Sequence, residues 1–280
     1  MTRTKAFWLS FLCTLAALLP LYAIVYYGKT LTAYPGVAAA APESKISVNQ
    51  PTVQDSRNLL LVVKGEKTRF LLLRVDAWQQ RFAVAALRGD TLLRSAKGGT
   101  VSVQAAWEYA GPGYTAERIG ETLGISIDHY LQLNQSSIIA LGEKIGAVHI
   151  NAQTMALAQA NSSSVGSDTV ALSAQNIADL VCYSALEPEQ ETPFLARVYA
   201  LFLCAGADRL ETLIPQLLRA GEKGLSTSIL APEIYDYQKI FTFFVRKSPK
   251  VDYTAFPGEA SAEGFVLASD APALATTYFS

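Results

Sequence analysis

Residues able to do chemistry are few in this chain, and their spacing excludes more than it offers. There are two histidines, His129 and His149, so a histidine-rich metal centre has too few ligands. The three cysteines, Cys13, Cys182 and Cys204, form no CxxC pair and no metal-like spacing. Cys182 and Cys204 leave two alternatives open, a disulfide or two buried thiols on helices. Glu108, Glu117 and Glu121 fall on helical stretches and read as a solvated face. His129 follows Asp128 at the start of a strand and reads as a polar residue on the surface. No GxSxG, Walker A or GxGxxG follows a strand, which removes the common nucleophile elbow and the common phosphate loops. The net charge is −1, and Lys/Arg cluster only at the extreme N-terminus. Nucleic-acid binding needs a basic face, so it is excluded as a partner class.

The elements that must position any site follow from hydrophobic period. Asn58–Val63, Arg69–Val75 and Arg81–Leu87 are short apolar runs with the look of buried strands, the second and third at hairpin separation. From Val101 to Asn151 the order is helix, a turn at Gly111-Pro112-Gly113, helix, strand, helix, strand. Trp107 is expected to face the core with Ile119 and Leu123, leaving Tyr109 nearer a cleft. Residues 162–169 are a polar loop. Leu172–Tyr183 reads as a helix capped by Ser173, and 187–193 as a Pro/Glu-rich break. Phe194–Ala205 and Asp208–Ala220 follow as a helical hairpin hinged at Gly206. Ala231–Lys247 is a further helix with Pro232 in its first turn and a core-facing set of aromatic residues. The tail from Val251 is expected to end in an edge hairpin around Pro257-Gly258. Strands followed by helices predict an α/β fold of three layers, α/β/α, around a central mixed sheet.

With half its 280 residues hydrophobic, the chain is long enough for one sizeable core plus an anchor. Ala6 to Tyr27 carries no charge and is long enough to cross a bilayer as a helix. Arg3 and Lys5 precede it, while Trp8 and Tyr26-Tyr27 suit the two interfaces. The organisation expected is therefore 1–28 as cytoplasmic head and transmembrane anchor, 29–57 as flexible linker, and 58–280 as an extracytoplasmic domain. A cleaved signal peptide is the rival reading, although its apolar region is usually shorter.

The wording of Val101–Asn151 resembles the LytR-CpsA-Psr family of bacterial cell-envelope proteins. The matching positions are Gln104-Ala105-Ala106-Trp107, Gly111, Gly124-Ile125, Ile127-Asp128-His129-Tyr130 and Gly146-Ala147-Val148. The resemblance implies a cell-membrane protein anchored by one N-terminal helix, its outer domain handling glycopolymers carried on polyprenyl phosphate and destined for peptidoglycan. Such transfer asks for arginines on a pyrophosphate, carboxylates for a bridging Mg2+, and an apolar route for the lipid. The family's Arg-x-Asp-Thr segment falls on Glu66-Lys67-Thr68-Arg69, without the aspartate. Its Pro-Arg-Asp-Thr falls on Arg88-Gly89-Asp90-Thr91, with an inserted glycine. Its helix-start lysine and asparagine fall on Ser102 and Gln104. The Arg-x-Arg clamp falls on 180–186, which hold no arginine, and the later Arg-Gln-Gln helix keeps Arg197.

What the resemblance implies is a degenerate member acting in cell-wall glycopolymer assembly with reduced or lost catalysis and a lipid- or partner-binding role. The alternative is an active phosphotransferase. Its catalytic residues would be Arg88, Asp90 and Arg197, with Gln104 in the polar cleft and Mg2+ needed only in that case. Partners would be a polyprenyl-linked glycan or other envelope lipid, peptidoglycan, or an envelope protein.

The topology is checkable directly. A reporter fused after Ser280 is expected to work only outside the cytoplasm. Arginines in place of Leu15 and Leu18 are expected to release or destabilise the protein, since each centred charge costs about 2.5–3.5 kcal/mol on insertion scales.

Overall fold

The computed structural model describes residues 50–151, 169–183, 186–206, 224–244 and 249–280. The expected anchor, most of the linker, the 162–168 loop and the expected helix at 208–220 lie outside them. Among the described residues no helix is long and apolar enough to cross a membrane. Gln50–Ser280 forms one compact unit, so the fold takes in a single 3-10 turn, Val53–Asp55, ahead of the first strand.

Three strands open the fold: β1 (Ser56–Lys64), β2 (Arg69–Asp76) and β3 (Arg81–Leu87). They pair antiparallel in sequence order. β6 (His129–Asn134) and β10 (Lys250–Ala255) flank them in parallel, on β1 and β3 respectively. β9 (Ser226–Thr227) finishes a mixed sheet in the order β10-β3-β2-β1-β6-β9. The apolar runs are continuous because both faces are covered, so every position is inside. Alternation then divides them: Leu59, Leu61 and Val63 point to one core, Leu60 and Val62 to the other.

The second of these cores is covered by α1 (Val103–Leu123). Its N-cap Ser102 accepts a hydrogen bond from Ala105 N at 3.1 Å. The helix breaks at Ala110–Gly111, where Gly111 takes φ 76°, and restarts on Pro112, whose missing N–H is no loss in a first turn. That is the turn between two helices read from the sequence. Trp107 is half-buried, edge-on to Phe70, while Tyr109 is 76% exposed. The other core is covered by four helices: α2 (Gln135–Ile145), α3 (Ala174–Tyr183), α4 (Pro188–Gly206) and α5 (Glu233–Thr242). Ser173 caps α3 as expected, accepting from Asn176 N at 3.2 Å. Small two-stranded sheets, β4 (Leu92–Arg94) with β5 (Thr100–Ser102) and β7 (Val148–Asn151) with β8 (Thr169–Leu172), lead into and out of helices.

Several expectations are corrected. The Pro/Glu-rich stretch is no break: Pro188 starts α4, where its missing N–H costs little, and the helix continues through Pro193, which lies in its second turn. Of the aromatics expected on the 231–247 helix, Tyr237 and Phe241 of α5 and Phe244 just beyond it are buried, whereas Tyr235 is 65% exposed. After the hairpin of β11 (Gly258–Ala260) and β12 (Phe265–Leu267), the chain ends in a helix, α6 (Ala271–Phe279), not in an edge hairpin. Ala271, Ala275 and Phe279 recur every fourth residue and pack into the α1 core. Cys182 and Cys204 are both free thiols, and Cys204 is exposed, so neither alternative read for that pair holds whole.

The end of α6 is tied to the sheet by buried polar groups. Asn58 Nδ2 donates to Phe279 O at 2.7 Å and Arg74 Nη1 to the same oxygen at 3.0 Å. Arg74 also pairs with Asp76 at 3.2 Å, both side chains under a tenth exposed. Removing one partner of such a pair strands the other charge. Arg74→Met is therefore expected to cost about 3–5 kcal/mol, read as a lowered denaturant midpoint.

Candidate functional site

The strand ends opposite α6's tether leave a polar cleft of about 590 Å³. Its walls are the β1–β2 turn (Glu66, Lys67, Thr68) with Arg69 at the start of β2, the β3 end continuing into Arg88-Gly89-Asp90, and the start of α1 at Ser102 and Gln104. One stripe of α4 closes it: Pro188, Glu191, Thr192 and Leu195, spaced three, one and three residues apart. Sequence segments far apart, each matched separately to the family's polar motifs, thus meet in one place.

Arg88, Asp90 and Gln104 all line this cleft. The glycine between Arg88 and Asp90 lets the two side chains close on each other. Arg88 Nε donates to Asp90 Oδ1 at 2.9 Å and Nη2 to Oδ2 at 2.7 Å, a bidentate pair. Its Nη1 reaches Glu189 Oε1 at 3.3 Å, and the guanidinium lies over the Phe265 ring at 4.5 Å. Arg88 is thus engaged on every side rather than solvated. Gln104 donates from its backbone to Gly89 O at 2.8 Å and from its side chain to Glu108 Oε1 at 2.6 Å.

Arg197 is not at the cleft. At 100° per residue it lies half a turn around α4 from the stripe that faces the opening, and this corrects the expectation that it joins Arg88. Arg69, by contrast, lines the cleft although its segment lacks the motif's aspartate. It is buried, donates to Glu191 Oε1 at 2.7 and 3.2 Å, and reaches Cys182 O at 2.7 Å. An arginine opening an apolar strand beside a polar turn was the available signal. The segment at 180–186, which lacks arginines of its own, therefore receives one from β2.

Of the four carboxylates that line the cleft, Glu66, Asp90, Glu191 and Glu263, two are taken by its arginines. Asp90 commits both oxygens to Arg88, and Glu191 is committed to Arg69. Among the described residues no three His, Cys, Asp or Glu side chains gather as a metal set.

A separate apolar cavity of about 80 Å³ lies between the sheet and α2–α5. Val181, Val198, Tyr199 and Phe202 are in its wall. The hydroxyls of Tyr199 and Tyr237, which also line it, are buried with no hydrogen-bond partner among the described residues, and burial pushes both phenols up. Burial likewise pushes up the Cys182 thiol, against the opposing charge of Arg69, so it is no activated nucleophile. At the other end of the sheet His129 has partners: its Nδ1 is 3.4 Å from Ser228 Oγ and its Nε2 3.8 Å from Glu233 Oε1.

The hydrogen bonds from Arg88 hold the Asp90 carboxyl below the usual carboxylate range, against partial burial that opposes them. A depressed folded value stabilises the protein above the ordinary value of about 3.9 and loses that contribution as pH falls through the folded value. Asp90's side chain is 48% exposed, so solvent screening limits the pair to about 1 kcal/mol or less. An NMR titration is expected to show Asp90 ionising below its neighbours' range, and Arg88→Gln is expected to return it upward.

Comparison with curated proteins gives no match. Among solved structures, a protein described as a transcriptional regulator from Enterococcus faecalis aligns with a TM-score of 0.63 and 14% identity, over 80% of this chain and 88% of that one. TagT bound to LIIa-WTA gives 0.63 and 13%, over 87% and 98%. TagV from B. subtilis gives 0.60 and 11%, over 80% and 95%. At these identities the likeness establishes the fold, a mixed α/β domain around a central mixed sheet. The model of the LytR_cpsA_psr family matches residues 40–174, the stretch that supplies β1 to β3, both segments of α1, and the β6–α2–β7 order.

Proposed function

We propose that this protein acts in cell-envelope glycopolymer assembly by binding a lipid-linked glycan, with the transfer step reduced or lost. The observation that carries the reading is the state of the cleft's cations. Arg69 and Arg88, the arginines of the cleft, each face carboxylates of the chain itself, from α4 or from the adjoining turn.

The two pairs differ in how readily they yield. Arg69 is 4% exposed, and opening its pair with Glu191 leaves a buried charge, at several kcal/mol. Arg88 pairs with exposed carboxylates, so of the two arginines it is the one a ligand could recruit at lower cost, and the exposed Lys67 of the β1–β2 turn is a further cation in the same wall. A pyrophosphate asks for more, because charge-assisted contacts of about 1.5–3 kcal/mol each must combine to hold it. TagT, of the same fold, was solved bound to LIIa-WTA, which supports a glycan-carrying ligand for this cleft. The lipid part would follow the apolar seam between the sheet and α2–α5, where burial rather than charge drives binding.

The second reading, an active phosphotransferase, draws on the same half-exposed Arg88–Asp90 pair. If it opens, Arg88 turns to phosphate and Asp90 becomes free. Full-length protein in detergent is expected to bind polyprenyl phosphates with an affinity set mainly by chain length and little changed by magnesium. Arg88→Ala is expected to change it less than about tenfold, roughly 1.4 kcal/mol. The deciding assay is transfer of a radiolabelled lipid-linked glycan to peptidoglycan. Robust magnesium-dependent turnover that vanishes in Arg88→Ala would establish the enzyme instead.

A further inference from the structure

The end of the sheet opposite the cleft gathers groups from distant parts of the chain. The β2–β3 turn meets the 3-10 turn there, Ala77 N donating to Asp55 O at 3.3 Å. α5 crosses the same end: Glu233 Oε1 lies 3.8 Å from His129 Nε2 at the start of β6, and Lys239 Nζ donates to Asp55 Oδ1 at 3.0 Å. Leu230 is tied to the start of α5, its N donating to Glu233 Oε2 at 2.6 Å. Among the described residues seven large hydrophobic side chains are exposed, and four of them, Val53, Trp78, Leu230 and Tyr235, belong to this one end. The other three lie apart, Tyr109 on α1, Tyr253 on β10 and Val266 on β12. Apolar side chains scattered singly need no explanation, whereas a gathering marks a surface that is covered in use.

The chain enters the fold at this end, just ahead of Val53, and the 21 residues from 29 to 49 separate that entry from the span read in the sequence. A flexible chain of that length has a mean reach of about 25 Å, so this end lies close enough to touch a bilayer. Resting on the anchor read from the sequence, we infer that this face docks on the membrane, with Val53, Trp78, Leu230 and Tyr235 seated in the headgroup layer. Indole and phenol rings suit that layer because their bodies are apolar and their tips polar. Lys239 and Lys250 at this end are paired with Asp55 and Asp252, so headgroup charge adds little and burial of apolar surface drives the contact. A second copy of the chain fits less well. Glu233, Asp236 and Lys239 share α5 with Tyr235, whereas the core of a protein interface is depleted of charge. A hydrated headgroup layer accepts both kinds of side chain. Docked in this way, the nine residues of β1 lead away from the bilayer over up to about 30 Å, and the cleft faces away from the membrane.

The test places full-length Trp8→Phe protein, which keeps Trp78 and Trp107, in phosphatidylcholine nanodiscs with plain or brominated acyl chains. Bromine quenches an indole only on close approach. Brominated nanodiscs are expected to quench part of the emission, and adding Trp78→Phe is expected to remove that quenched part while Trp107 stays unaffected. Raising the salt from about 0.1 to about 1 M is expected to leave the quenching unchanged. Val53→Ser with Leu230→Ser is expected to lower it, and an unchanged melting temperature establishes that this variant is folded. Equal emission in the two nanodiscs, or quenching that persists after Trp78→Phe, overturns docking while leaving the anchor standing. Trp78 shielded from aqueous iodide yet not reached by bromine assigns the face to a second copy and overturns docking as well. Protein that fails to enter nanodiscs overturns both anchor and docking.

Discussion

The rest of the fold depends on β1, β2 and β3 being apolar at nearly every position. A sheet so built has no face that tolerates water, and each side must be roofed. One roof is α1 with α6; the other is α2 to α5. Helices that cover a sheet cannot also cover the ends of its strands. The cleft opens at one such end, where the β1–β2 turn, the β3 exit and the start of α1 converge. Its position is thus a by-product of covering the sheet, and its chemistry is left to the few residues at the strand termini.

Those residues have been arranged so that the chain answers its own charges. Glu189 and Glu191 lie in the first turns of α4, where carboxylates also suit the helix dipole, and they point toward arginines delivered by β2 and β3. Gly89 contributes by spacing: one residue inserted between Arg88 and Asp90 turns them toward each other. A site that in principle could take up anions is thereby held near electrical balance, with Arg69 fixed by a buried pair and Arg88, whose carboxylate partners are exposed, more easily released.

How much of this was legible depends on the range of the interaction. The three strands, the Gly111 turn, the Ser173 cap and the gathering of segments around residue 88 all follow from local pattern or from local wording. The partners of the arginines do not. Glu189 meets Arg88 across 101 positions and Glu191 meets Arg69 across 122, and no periodicity records such a meeting. The Pro/Glu composition of 187–193 pointed to a break, because proline's cost in a helix depends on its distance from the first turn. Residues 271–279 were missed for another reason. The run is short and uncharged, and its buried face is made mostly of alanine, which carries little hydrophobic contrast. Arg197 was misplaced because its motif match fixes a helix but not the side of the helix that meets the cleft.

The tether on Phe279 has a consequence for the order of assembly. Asn58 and Arg74 lie in the first two strands, yet the carbonyl they hold is separated from Asn58 by 221 positions. During synthesis from the N-terminus, those strands and α1 exist long before α6 does. Until residues 271–279 emerge, the α1 core has an open flank, and Asn58 and Arg74 face it without that acceptor. Such a nascent chain exposes apolar surface for most of its synthesis, which invites chaperone binding and favours late, concerted closure over stepwise folding. Closure of the α1 core on that flank therefore waits for α6.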